Sequence, residues 1–144
     1  MIYTTYNPST GQIYSTVKNS ETVLPESTAD IGILPGEYSG KKYWVVSDTI
    51  TELPTDPSSD SLKYRFDYVT GAWQLDTESS KIIARVTRNK MLEAIDRINP
   101  IWYASLNTDQ QQELITYRQA LLAVPQQSGF PETVTWPVKP TWLS

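Results

Sequence analysis

The stretch Tyr117–Ser144, YRQALLAVPQQSGFPETVTWPVKPTWLS, decides how the C-terminal part of this chain folds. A helical run stops at Pro125, crosses a short polar loop and leaves through an extended segment carrying prolines and tryptophans. Helix interiors reject proline, which lacks the N–H and collides with the carbonyl four residues back. Pro125, Pro131, Pro137 and Pro140 therefore predict a non-helical end. Trp136 and Trp142 add large apolar surfaces that need burial, against the chain's own core or against a partner.

Working back from this stretch, Leu114, Tyr117, Leu121 and Val124 form the apolar stripe of a helix, widened by Ile115 and Leu122. Thr108-Asp109-Gln110-Gln111 reads as its capping box, with Thr108 accepting and Gln111 reaching back. An apolar stretch, Ile101–Leu106, read as a link or a single turn of helix, precedes it. Lys81–Ile98 predicts another helix, with Ile82, Ile83, Val86, Leu92, Ile95 and Ile98 at roughly helical spacing and Thr77 or Ser79 as the cap. Asn99-Pro100 should end it. Two helices on a short connection predict an antiparallel hairpin, and the extended tail can lie across them.

Residues 1 to about 78 read as β structure. Ile2–Tyr6 and Gln12–Val17 flank the turn Asn7-Pro8-Ser9-Thr10-Gly11. The pattern recurs: Phe66-Asp67-Tyr68-Val69-Thr70-Gly71-Ala72-Trp73 again sets an aromatic, an Asx, two free positions and Thr-Gly before an apolar residue. One hairpin geometry used twice places strands at Lys63–Asp67 and Ala72–Leu75. A repeated ligand loop and plain hairpin chemistry both fit this pattern. Tyr43–Val46 is a further strand with Thr49–Leu53 as its partner. Pro35-Gly36 marks a turn, Leu53–Ser61 a loop, and Asn19–Asp30 a second loop. The expected architecture is α+β: a β domain (1–78) built on one small antiparallel sheet, then a helical hairpin with an extended tail (79–144).

Composition excludes more than it assigns. With no cysteine and no histidine, there is no thiolate nucleophile or thiolate metal site, no imidazole base and no Ser-His-Asp triad. No cofactor or metal is expected. A formal charge of −4 argues against a dedicated nucleic-acid partner. No stretch has the apolar length of a membrane span, and MIYTTYNPSTG lacks the features of a signal peptide. The expected location is a cytoplasm or a particle built there.

The order Arg88-Asn89, Leu92, Asp96, then Tyr117-Arg118-Gln119-Ala120-Leu121, Pro125, Phe130-Pro131, Trp136-Pro137 and Pro140 resembles the C-terminal module of bacteriophage tail assembly chaperones and tail-fibre assembly proteins. The family carries tryptophan after the aspartate where Arg97 stands here, and a basic then an acidic residue where Leu122 and Ala123 stand. The resemblance implies a non-enzymatic tail protein whose partners are fibre, baseplate or other tail subunits. It could act as a virion structural component, in several copies, or as an assembly chaperone, which places it in the tail of the virion or in the host bacterial cytoplasm during assembly. Tyr117, Arg118, Phe130, Trp136, Pro137, Pro140 and Trp142 are the candidate partner-binding residues.

Each candidate also has a plainer role. Arg118 is either a fixed fork for a carbonyl or carboxylate of the tail or a partner, or an exposed side chain with a snorkelling stem. Trp136 either closes the two-helix core or offers itself outward with Trp142. Lys81, Arg85 and Arg88 form a basic helix side that can pair with nearby acids. Glu93 and Asp96 share a helix face, and a carboxylate pair is the minimum for a glycan hydrolase. That chemistry, or a carbohydrate-binding β module stacking sugars on Trp44 or Trp73, is the alternative function.

Overall fold

A computed structural model describes residues 1–144, which divide into two compact units. One comprises Met1–Pro57 with Tyr64–Gln74; the other comprises Ser58–Lys63 with Leu75–Ser144. The fold class is α+β, as the sequence predicts.

The first unit is built on β1 (Ile2–Tyr6), which pairs antiparallel with β2 (Ile13–Lys18) on one side and β3 (Gly32–Pro35) on the other. Thr4 is fully buried at its centre; its hydroxyl donates to the Gly36 carbonyl (3.0 Å) and accepts from the Tyr38 N–H (3.1 Å). A buried hydroxyl needs such partners. β4 (Tyr43–Val46) and β5 (Thr49–Glu52) form a ribbon turned by Ser47 and Asp48, both at positive φ as a type I′ turn requires. β6 (Tyr64–Asp67) and β7 (Ala72–Leu75) form a second ribbon. Tyr6, Ile13 and Val45 form the core, with Leu34, Tyr38, Tyr43 and Ile50 packed on it.

The repeated hairpin exists in both places, and its chemistry is the same. Asn7 Oδ1 accepts from the N–H groups of Ser9 and Thr10, and Asp67 Oδ1 accepts from those of Val69 and Thr70. The Gly11 and Gly71 N–H groups return to the Asn7 and Asp67 carbonyls at 2.7 and 2.8 Å, with both glycines at positive φ. Two expectations are corrected. The strands make three separate sheets, not one. β3 was not anticipated, because Ile33-Leu34 is too short an apolar run between Gly32 and Pro35 to declare itself; β1 supplies the ladder that makes it a strand.

The second unit holds three helices: α1 (Thr77–Asp96), α2 (Pro100–Ser105) and α3 (Thr108–Ala123). α1 starts before the predicted Lys81 and is capped by Asp76, not Thr77 or Ser79. The Asp76 carboxylate accepts from the Ser79 N–H (3.1 Å) and hydroxyl (2.8 Å). It ends at Asp96, short of Ile98. α2 develops from the apolar link because Asn99 caps Ile101 and Trp102 and Pro100 occupies the first turn. The α3 capping box lies one residue earlier than read: Asn107 and Gln110 exchange the two bonds, not Thr108 and Gln111. Pro125 sits inside a short 3₁₀ turn, Val124–Gln126, so the chain stays helical slightly beyond the predicted stop.

α1 and α3 meet through Leu92 and Ile95 on one side and Leu114, Tyr117 and Leu121 on the other. Asp96 meets Arg118, and the earlier Arg85 meets Phe130 beyond α3, so the two helices run in opposite senses. The predicted α1 stripe holds only in its C-terminal part. In the first turns Ser80 and Ala84 are buried, whereas Ile82 and Val86 are 60% and 48% exposed. The Ser80 hydroxyl accepts from the Lys63 N–H at 3.0 Å, and the Lys63 carbonyl accepts from Asp76 N–H at 2.8 Å. The segment 58–63 is stitched to the start of α1 by these bonds.

Candidate functional site

The candidate residues sit on or beside α3 and on the tail that follows it. Tyr117 is buried between two hollows. The larger, about 890 Å³, separates α3 from the tail and is walled by Tyr117, Glu113, Ala120, Pro137 and Pro140. Proline presets the extended path of this wall, so Val138 is held outward at 88% exposure with little backbone freedom to lose.

The tail is fastened at three points. The Gln127 amide donates to the Thr135 carbonyl (2.8 Å) and accepts from the Thr135 N–H (2.9 Å), bonding like a strand neighbour. Phe130 carries the Arg85 guanidinium over its ring at 5.7 Å and precedes a cis bond to the buried Pro131. Trp142 donates its indole N–H to Glu113 at 2.5 Å, tilts against Trp102 with ring centroids 6.3 Å apart, and packs with Leu143 on the α1–α3 core. Trp142 is thus the tryptophan on that core cluster; Trp136 is half-buried outside it.

Arg118 is a fork, as one reading of the sequence has it, but the carboxylate it holds is neither on the tail nor on a partner. It belongs to α1: Nε to Asp96 Oδ1 is 2.8 Å and Nη2 to Oδ2 is 3.5 Å. The neighbouring carboxylate raises the Arg118 pKa further. Beside this pair opens a second hollow of about 350 Å³, lined by Ile95, Ile98, Pro100, Tyr103, Leu114 and Ile115. Its wall is apolar and its edge is ionic, the composition of a protein-binding patch. Ile101, 82% exposed, projects from α2.

The structure thus gathers Tyr117, Pro137 and Pro140 around one groove, sets Trp142 at a tail anchor and Arg118 at the next hollow, and holds Phe130 apart against Arg85. Of the other charged side chains on or beside α1, Lys81 pairs with Glu78 at 2.8 Å, Arg97 with Glu93, and Arg88 bonds the Asn89 amide. Glu93 and Asp96 each hold an arginine. Glu113, Trp102 and Gln127 were not singled out from sequence. Only Trp102 had a signal, its indole in an apolar link.

No group of three or more acidic, histidine or cysteine side chains forms a metal site, and no helix is long and apolar enough to cross a membrane. No curated protein and no solved structure matches the chain. Residues 82–141, which run from within α1 to Thr141 of the Pro/Trp tail, match the model of the phage tail assembly chaperone protein family, the family that the Tyr117–Leu121 run and the tail resemble.

Proposed function

We propose that this chain is a non-enzymatic phage tail assembly chaperone, which binds fibre, baseplate or other tail subunits in the host cytoplasm. The family match supports a role in tail assembly and interaction with other tail proteins. The observation that carries the binding mode is the pair of hollows on either side of α3, one walled by the proline-stiffened tail and one edged by the Arg118–Asp96 pair. A stiff wall and a preset ion pair reduce the ordering cost of association. Tyr117, Arg118, Pro137 and Pro140 form the contact surface in this reading, while Phe130, Trp136 and Trp142 hold or extend the tail. The β-rich residues 1–78 and the helical residues 79–144 act as separate domains, with tail-subunit binding assigned to the second.

The test is co-expression with the tail proteins encoded beside it, followed by affinity capture and by mass spectrometry of purified particles. Capture of a tail subunit by the full chain, loss of it on deletion of Trp136–Ser144 with α1–α3 still folded, and absence from the particle are expected. Stoichiometric copies in the particle would replace the chaperone with a structural adaptor. Undiminished capture by the folded truncation would remove the tail from the site.

A further inference from the structure

The first unit carries eight carboxylates against four cations, Lys18, Lys41, Lys42 and Arg65. Lys18 pairs with Glu37 at 3.1 Å and Lys42 with Glu52 at 3.3 Å. Lys41 and Arg65 are in neither pair, and both line a single groove of about 590 Å³. Neither is in a salt bridge, although the Asp67 carboxyl, held below the usual range chiefly by the Val69 N–H, is also lowered by the Arg65 charge, and two cations at one place in an acidic unit are a focus for an anion.

The groove's floor is aromatic and rigid. Phe66, buried, is the hub of a ring cluster: Trp44 meets it at 5.1 Å, Tyr68 at 5.0 Å and Trp73 at 5.3 Å, all edge-on. Trp73 is further fixed by its indole N–H, which donates to the Pro54 carbonyl at 2.9 Å. Tyr68 and Trp73, both half-buried, line the groove with Lys41 and Arg65, and Gln12 and Asp56 stand at its rim. The depression continues past Gln12 and Tyr68 into a hollow of about 340 Å³ between the two Asx–Thr-Gly loops.

We infer that this groove binds an acidic oligosaccharide, one whose uronate-type carboxylates meet Arg65 and Lys41 while a pyranose face stacks on Trp73 and Tyr68. The aromatic rings suit the C–H face of a sugar. A guanidinium takes a carboxylate through two parallel bonds. The Gln12 amide and the two ring faces discriminate between ligand classes. Sugar hydroxyls both donate and accept, so they bond an amide, and a pyranose offers a C–H face to Trp73 and Tyr68 that an acidic peptide lacks. This site is independent of the tail-assembly reading, which rests on the other unit.

The test is titration of the ¹⁵N-labelled full-length protein with tetragalacturonate, with neutral maltotetraose and tetraglutamate as comparators, followed by NMR. Arg65→Gln and Lys41→Gln, both at exposed positions, are titrated in parallel. Tetragalacturonate should shift the Trp73 indole signal and the Gln12 amide, and each substitution should weaken it about tenfold. Maltotetraose should bind at least about tenfold more weakly. Absence of binding by tetragalacturonate, equal binding by either comparator, or unchanged affinity in both folded variants would each overturn the assignment.

Discussion

Arg118 of α3 reaches across to Asp96 of α1 and grips its carboxylate with Nε and Nη2, joining two helices whose residues lie 22 positions apart. Both side chains are nearly half exposed, so solvent and salt screen the pair and its value to folding is small. Its value to position is larger, because it fixes the ionic edge of the hollow beside Tyr103 and Ile115. Arg118→Ala should leave unit-level folding intact, shift the melting temperature by only about 1–3 °C, and reduce capture of the tail partner by about tenfold or more. Arg118→Lys should not restore capture, since an ammonium cannot reproduce the fork. Circular dichroism melts beside quantitative pull-downs check this; a large melting shift with unchanged capture would make the pair purely structural.

The two Thr-Gly hairpins share a sequence pattern but not a tolerance. A Cβ on Gly11 would lie 1.9 Å from the Val45 carbonyl oxygen, which is backbone and cannot give way. A Cβ on Gly71 would meet the far end of the Trp44 ring at 3.1 Å, which can shift. Both glycines have positive φ, which costs an L-residue about 1–2 kcal/mol in either place. Gly71→Ala should therefore cost roughly that amount, and Gly11→Ala should cost distinctly more and break the bond from Val45 N–H to the Gly11 carbonyl, now 2.9 Å. Urea denaturation of the two variants, followed by amide exchange in β4, measures the difference.

What the sequence made legible was the chemistry that closes over a few residues. Asn7 and Asp67 announce their loops because each side chain bonds N–H groups two and three positions on. Leu114, Tyr117 and Leu121 announce α3 because its buried face is apolar throughout. The start of α1 misleads for the opposite reason. Its buried face is Ser80 and Ala84, small enough for close approach, and apolarity pointed instead to the exposed Ile82 and Val86. Tail residues were legible as extended, but not where they attach: Gln127, Glu113 and Trp102 gain their roles from partners 8, 29 and 40 positions away. Arg118 stood out by its place beside the stripe, whereas its partner Asp96 could be named only once α1 and α3 were set together.

Ser80 is fully buried and its hydroxyl is the acceptor for the Lys63 N–H. Ser80→Ala keeps the size of the contact and deletes the acceptor. A buried donor left without a partner costs about 1–3 kcal/mol. The loss should appear as faster amide exchange at Lys63 and across the first turn of α1, with β1–β3 unaffected. Unchanged protection at Lys63 would show that the neighbouring carbonyl–amide bond between Lys63 and Asp76 suffices.

Trp142 attaches the end of the tail by two separable means, its ring against Trp102 and its N–H to Glu113. Trp142→Phe retains a ring and removes the donor; Trp142→Ala removes both. Exchange of amides in residues 141–144 and in α3 should rise by less than about threefold in the first and by about tenfold or more in the second. Equal effects would place the attachment in the hydrogen bond alone. No effect in either would show that the tail is held by Gln127 and Phe130.

Tyr6 is buried in the core of the first unit, and its hydroxyl donates to Asp48 Oδ1 at 2.7 Å. The hydrogen bond to Asp48, then burial and the charge of that carboxylate, raise the pKa of the phenol above its ordinary value. An acid whose folded pKa lies above its unfolded value stabilises the fold fully below the unfolded value, about 10 for tyrosine. That contribution is lost as pH rises from there through the folded pKa, because only the unfolded chain then releases the proton readily. The first unit should therefore lose stability above about pH 10, with none of this loss between pH 6 and 9. Tyr6→Phe should cost about 0.5–1.5 kcal/mol at pH 7 for the missing bond and should show a shallower alkaline decline than the parent. The other tyrosines are common to both chains, so the difference between their urea midpoints from pH 8 to 11 isolates Tyr6. Parallel declines would mean that the Tyr6–Asp48 bond carries no differential protonation between folded and unfolded states.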